Sequence, residues 1–234
     1  EEVVIQKKLL KFIPLHRAYS SKSYRQVTRA NATFNLDISD YMQWHIWANL
    51  NDLSWKKGAQ QDEGEILDIG ANVGAFSLKT LQNNPNKVTL HSFEPNPLVF
   101  EKLQNNFSLN PNLNRQYKLN KIGVAEQKGQ LDFFWNEQNS GGGSFSHNEQ
   151  NAIKEVIDVT TIDEYVSKHQ LSNIQLIKID VEGYEPQVLK GATETIKTQK
   201  PTIFIEVSPE WWRKNNYNPI DVLSIFEVLD YQFF

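Results

Sequence analysis

The chain has no cysteine in its 234 residues. Disulfides, cysteine-ligated zinc, iron–sulfur clusters and thiol nucleophiles are therefore excluded. It has no uninterrupted apolar run near the roughly 18 residues that a bilayer-spanning helix needs. No charged-then-apolar signal segment opens it either. A dominant charge is also missing, with 24 basic against 28 acidic residues and a net charge of −4. That balance gives no general electrostatic reason to expect nucleic acid or an anionic membrane surface as partner. The cluster at residues 7–11 (KKLLK) is too short to act as a basic patch. Two Asn-X-Ser/Thr sequons, at Asn31 and Asn106, stand alone as signs of secretion, so the expected location is the cytoplasm. The missing initiator Met predicts a trimmed N-terminus. Hydrophobic residues at 39% and aromatics at 12% are enough to build a core.

Patterning changes near residue 64. Residues 1–63 read as an extension, with a loop at 20–23 and a helix over 41–48 capped by Ser39 or Asp40. A polar connector fills 56–63. From residue 64 to 234, short β-branched runs alternate with helical patterns. Strands are expected at 66–70, 88–93, 116–124, 130–135 (antiparallel), 174–180 and 202–207. Helices are expected at 74–82, 97–107, 186–198 and from 219 or 220 to 229. The glycine-rich stretch 140–144 reads as a flexible loop, and 231–234 as a strand just beginning. Such alternation indicates an α/β fold with a parallel sheet and right-handed crossovers.

Three motifs fall at the carboxyl ends of those strands, where doubly wound folds place their ligands. The first is Asp68-Ile69-Gly70-Ala71-Asn72-Val73-Gly74, joining the first domain strand to its helix. Gly70 permits a tight turn and close approach to the backbone, and Gly74 opens a helix whose amides suit an anion. The Gly-X-Asn-X-Gly spacing differs from the Gly-X-Gly-X-X-Gly of dinucleotide sites. Asn72 would crowd a pyrophosphate, whereas an amino-acid carboxylate fits. A purely geometric glycine turn is the plainer alternative.

The second motif is Phe93-Glu94-Pro95-Asn96-Pro97. Glu94 ends the second strand about 20 residues after the glycine turn, where a carboxylate accepts hydrogen bonds from ribose hydroxyls. Alone, it reads equally as a helix-entry acid. The third motif is Ile177-Lys178-Ile179-Asp180-Val181-Glu182-Gly183-Tyr184-Glu185. Asp180 and Glu182 end a central strand over the same crevice. There they can hold a cofactor ammonium, bind a divalent cation or take a proton from a hydroxyl. Glu182 and Glu185 can alternatively serve the next helix as N-terminal acids.

These three motifs, in this order, with the Leu189-Lys190-Gly191-Ala192 stretch, resemble the FkbM-type methyltransferase family. The likeness runs from about residue 65 to 207, and residues 140–144 and 160–164 resemble family features as well. The resemblance implies a Rossmann-like class I methyltransferase fold, a mostly parallel twisted sheet flanked by helices, preceded here by the partly helical extension. It implies S-adenosylmethionine as donor and O-methylation of a sugar, glycan or secondary-metabolite hydroxyl. Carried over by position, Asp68, Gly70, Asn72, Gly74, Glu94, Asn96 and Asp180 would bind the cofactor, with Gly123 and Val124 bordering the adenine. The closing antiparallel strand pair of that fold is incomplete at Phe234, which predicts a chain truncated there. Acceptor or oligomer contacts are assigned to the extension.

For the proton-accepting base, Asp180 and Glu182 are the first choices and His147 the second. Glu206 could join Asp180 and Glu182 around Mg²⁺, but strand-end acids often cap helices, and no metal is assigned. Trp44 and Trp47, one turn apart, read as core. Trp211 and Trp212 are balanced between core and the stacking of a sugar ring. Two competing functions use the same fold: a nicotinamide-dependent oxidoreductase and a non-catalytic binding module.

Overall fold

The computed structural model describes residues 13–48, 63–84, 87–113, 116–136, 139–145 and 152–233. The KKLLK cluster, most of the 56–63 connector, His147 and Phe234 lie outside them. The extension contains an unforeseen hairpin, β1 (Tyr24–Arg29) with β2 (Ala32–Asp37), before helix α1 (Tyr41–Trp47). The Asp40 carboxylate accepts from the Gln43 amide, as an N-cap should.

The chain continues through β3 (Gly64–Ile69), α2 (Ala75–Asn83), β4 (Val88–Phe93), α3 (Pro97–Ser108) and β5 (Tyr117–Asn120). Pro97 at the first helical turn and the Asn96 cap together start α3. The single strand expected at 116–124 is broken instead. After Asn120 the chain leaves the parallel sheet, and β6 (Gly123–Val124) joins a second sheet with β7 (Gly129–Asn136), β8 (Asn139–Ser144) and β9 (Ile153–Thr160). The glycine-rich stretch is thus a strand antiparallel to β7, not a loop.

Helix α4 (Ile162–His169) leads back to the central strand β10 (Ile174–Ile179). The helix expected at 186–198 is two helices, α5 (Glu185–Lys190) and α6 (Thr193–Gln199), divided at Gly191. A Cβ at Gly191 would lie 2.2 Å from the Ala125 carbonyl oxygen, so the chain turns at the one residue that fits. Strand β11 (Thr202–Ile205), α7 (Pro209–Lys214) and α8 (Pro219–Val228) complete the order. Residues 231–233 form no strand.

All five strands of the main sheet are parallel, in the order β11-β10-β3-β4-β5. Its central strands are rich in buried apolar residues because both faces are covered, with Asp68, His91, Ser92 and Lys178 as buried polar exceptions. Ile66, Leu90 and Leu176 face one core with Leu78, Leu103 and Phe107. Leu67, Ile177 and Ile179 face the other with Val188, Leu189 and Phe226. The hairpin shares the first core through Ala32, Phe34 and Leu36. Asn106 and Asn110 of α3 and its end tie it down, accepting from the Asn35 and Thr33 amides at 2.8 and 2.9 Å. Asn106 is fully buried and also donates to the Val73 carbonyl, so its sequon is not an available glycosylation site in the folded chain. No helix among the described residues is long and apolar enough to cross a membrane.

Candidate functional site

The strand order reverses between β3 and β10: the chain winds outward through β4 and β5, then returns to the opposite side of β3. A crevice opens there, beyond the carboxyl ends of the strands, as it does in doubly wound sheets. It has a volume of about 550 Å³. Gly70, Asn72, Glu94, Asn96, Asp180 and Glu182 all line it.

Backbone geometry explains the first motif. Gly70 has φ +79°, and a Cβ on it would sit 1.9 Å from the Asp180 carbonyl oxygen. The glycine is therefore required by the approach of the β10 loop, in addition to any ligand above it. Asn72 also adopts a left-handed conformation (φ +50°), and its Oδ1 accepts from the Val73 amide. Gly74 turns away from the crevice toward Leu103 and Phe107.

Glu94 joins two loops. One of its carboxylate oxygens accepts from the Asn72 amide and the other from the Asn96 amide, both at 2.9 Å. Each oxygen keeps a second lone pair for a hydroxyl. Burial pushes the Glu94 carboxyl up to about 7, against the opposing pull of those amides. The Asn96 side chain is committed to capping α3, accepting from Leu98 and Val99.

Asp68 lies beneath the crevice rather than on its wall. It is fully buried and accepts from the Ser77 hydroxyl. Its other oxygen pairs with Lys178 at 3.3 Å. Lys178 also donates to the Gly70 carbonyl at 2.6 Å and pairs with Asp180 at 3.4 Å. Burial lowers the affinity of this amine for its proton, but the charges of Asp180 and Asp68 outweigh burial and hold it above the usual lysine range. Lys178 was not among the residues expected from sequence. The available signal was a lone cation in an apolar strand, since a buried charge must be paired.

Beyond β10, Glu182 takes φ +52°. Burial raises its carboxyl to about 8, with Glu206, Asp180 and Glu185 adding repulsion. Burial likewise raises Glu206, which also lines the crevice. Among the described residues no group of three or more His, Asp or Glu side chains is placed to hold a metal ion. Glu185 serves the fold: its fully buried carboxylate accepts from the Val181 and Gly183 amides and from the Trp212 indole. Trp212 is accordingly buried, and Trp211 lies under the Lys214 ammonium; neither lines the crevice. Trp44 is buried with its indole on the Pro14 carbonyl, and Trp47 packs against the first core.

Gly123 and Val124 do not border the crevice; they pair with β9, and Gly123 abuts Phe145. Further wall residues come from the extension and from strands of both larger sheets, and none of these side chains is singled out by the sequence motifs. They include Met42 and Ile46 of α1, Phe133 of β7, Phe145 after β8 and Phe204 of β11.

Residues 68–233 match the family model described as the methyltransferase FkbM domain. The chain belongs to that family. Among curated relatives, the 2-O-methyltransferase NoeI of Sinorhizobium fredii is 28% identical over 162 residues, 62% of this chain and 63% of the relative. The hexuronic acid methyltransferase AglP of Haloferax volcanii is 26% identical over 140 residues, 59% of this chain and 54% of the relative. The chain thus spans less than two thirds of these relatives. A solved FkbM methyltransferase from Methylobacillus flagellatus has the same fold, with TM-score 0.51 and 20% identity over 76% of this chain and 40% of that one. The matched residues begin within β3 and take in the five-stranded and four-stranded sheets.

Proposed function

We propose that this FkbM domain transfers a methyl group from S-adenosylmethionine to a hydroxyl oxygen of a sugar, glycan or related metabolite. The observation that carries the reading is the gathering of Gly70, Asn72, Glu94 and Asp180 around one crevice at the sheet's reversal point, in a chain of this family. The donor set suits such a cofactor. Glu94 is a buried acceptor for ribose hydroxyls, and Asp180 is a carboxylate for the cationic end. The Asn72 turn leaves no Gly-X-Gly cradle for a pyrophosphate, which disfavours nicotinamide dinucleotides. The names of NoeI and AglP support an acceptor of the sugar class.

When bound, S-adenosylmethionine supplies an electrophilic methyl on a sulfonium. The chain's part is to align the acceptor hydroxyl, an orientation effect that can lower a barrier by roughly 7–11 kcal/mol. Its second part is to remove the hydroxyl proton as the new carbon–oxygen bond forms. Glu182 fits that task best: its pKa of about 8 makes its ionised form a stronger base than an ordinary carboxylate. Asp180, paired with Lys178, is fixed beside it.

The test is transfer of isotopically labelled methyl from S-adenosylmethionine to hydroxylated acceptors, followed by Glu182→Gln. The variant should lose roughly 10²–10⁴ in kcat while binding S-adenosylhomocysteine as tightly as the parent. Wild-type rates should fall about tenfold per pH unit below about pH 8, because the base works only when deprotonated. Full activity in Glu182→Gln would remove it from the base role.

A further inference from the structure

Part of the crevice wall is aromatic. Phe133 and Phe145 stand with ring centroids 4.8 Å apart, and the Tyr184 ring lies 5.3 Å from Phe145. Each phenylalanine is seated on a glycine. A Cβ on Gly143 would lie 2.6 Å from the Phe133 ring, and one on Gly123 would lie 2.5 Å from the Phe145 ring. The glycines of β8 and β6 therefore set the depth of the platform. Ser144 fastens this wall to the acid loop, its hydroxyl donating to the Glu182 carbonyl at 3.1 Å. Phe145 follows Ser144 directly, so the aromatic face and Glu182 are fixed relative to each other. Phe204 extends the apolar surface from β11.

Charge on the wall is one-sided. Among the described lining residues, Glu94, Asp180, Glu182 and Glu206 carry carboxyls, and Lys178 is the lone cation. That lysine lies between Asp68 and Asp180, both within 3.4 Å. Among the described lining residues, a carboxylate or phosphate on the acceptor would meet no cation beyond the paired Lys178 and would have Glu182 and Glu206 nearby. Like-charge juxtaposition of this kind is how sites reject ligands. An aromatic face with a few acceptor oxygens around it instead suits a ring that is apolar on one face and hydroxylated at its edge.

Resting on the methyltransferase reading, we infer that the acceptor is an uncharged hydroxylated ring, such as a neutral sugar, lying on Phe145 with its reacting hydroxyl toward Glu182. The AglP relative is named for hexuronic acid, and on this inference the present chain differs from it by excluding the acidic counterpart.

The experiment pairs aryl β-glucosides with the matching aryl β-glucuronides in a labelled-methyl assay at pH 8, with S-adenosylhomocysteine binding measured alongside. The glucoside should be favoured by roughly 100-fold in kcat/KM, the scale of one unpaired like charge. Phe145→Ala should raise the glucoside KM about tenfold with S-adenosylhomocysteine affinity intact, which also shows that the variant folds, and Phe145→Tyr should restore the KM. Glu206→Gln should narrow the glucoside preference. Equal or better use of the glucuronide overturns the inference, and so does an unchanged KM in Phe145→Ala. Transfer to neither ring by protein that binds S-adenosylhomocysteine overturns it while sparing the donor assignment. Failure to bind S-adenosylhomocysteine removes both.

Discussion

At Gly70 the backbone of one motif touches the backbone of another. The 1.9 Å separation between a would-be Cβ and the Asp180 carbonyl means that Gly70→Ala must push β10 and its loop away from β3. The left-handed φ adds a conformational cost of roughly 1–3 kcal/mol for any side-chain-bearing residue. We predict that Gly70→Ala loses at least ~2 kcal/mol in urea denaturation and weakens S-adenosylhomocysteine binding as the crevice opens. A variant within ~0.5 kcal/mol of the parent would contradict this geometry. The need for glycine here was readable from the strand–turn–helix pattern, but its cause was not. Close approach to Asp180 depends on the β3–β10 register, which pairs residues 109 or more apart. The same holds for Asp68: its motif identified it, yet only the packed structure places it beneath the wall with Ser77 and Lys178.

Among the elements, the central strands carry the clearest sequence signal, because burial on both faces leaves short runs dominated by apolar, β-branched residues. β3, β4 and β10 fall within a residue or two of their expected spans. The second sheet was harder to see. β8 is a run of polar and glycine residues whose strand conformation comes from pairing with β7 and from the Phe133 ring, both tertiary effects. The N-terminal hairpin was missed for a similar reason: its inward residues Ala32, Phe34 and Leu36 are held by a core supplied from α2 and α3. Lys178 shows an element-scale dependence that can be measured. Lys178→Met would leave Asp68 buried and unpaired, at a cost of roughly 3–5 kcal/mol. Adding Asp68→Asn should recover part of that loss in a double-variant cycle. Strict additivity of the two would show that the pair is not coupled.

For the whole molecule, the crevice carboxyls predict how stability follows pH. Glu94 rises from an ordinary 4.5 to about 7 on folding, and Glu182 from 4.5 to about 8. With a raised folded pKa the native state binds the proton more tightly than the unfolded chain. This contribution is fully present below about pH 4.5 and is lost as pH climbs through 7 and 8. For Glu94 it amounts to about 3 kcal/mol. Urea midpoints should therefore fall from pH 5 to pH 8, and the double variant Glu94→Gln/Glu182→Gln should show a flatter profile. Parallel profiles for parent and variant would mean that these carboxyls ionise in the fold as freely as in the unfolded chain. The same buried acids make the crevice receptive to a cationic ligand, whose binding should restore stability at high pH by mass action.

In the proposed function this crevice holds an adenosyl methyl donor on Glu94. Calorimetric titration of the protein with S-adenosylhomocysteine, S-adenosylmethionine and NADH tests it most directly. We expect one site of micromolar affinity for both adenosyl ligands, none for NADH, and loss of binding in Glu94→Ala. Binding of NADH, or no adenosyl binding by demonstrably folded protein, would contradict it.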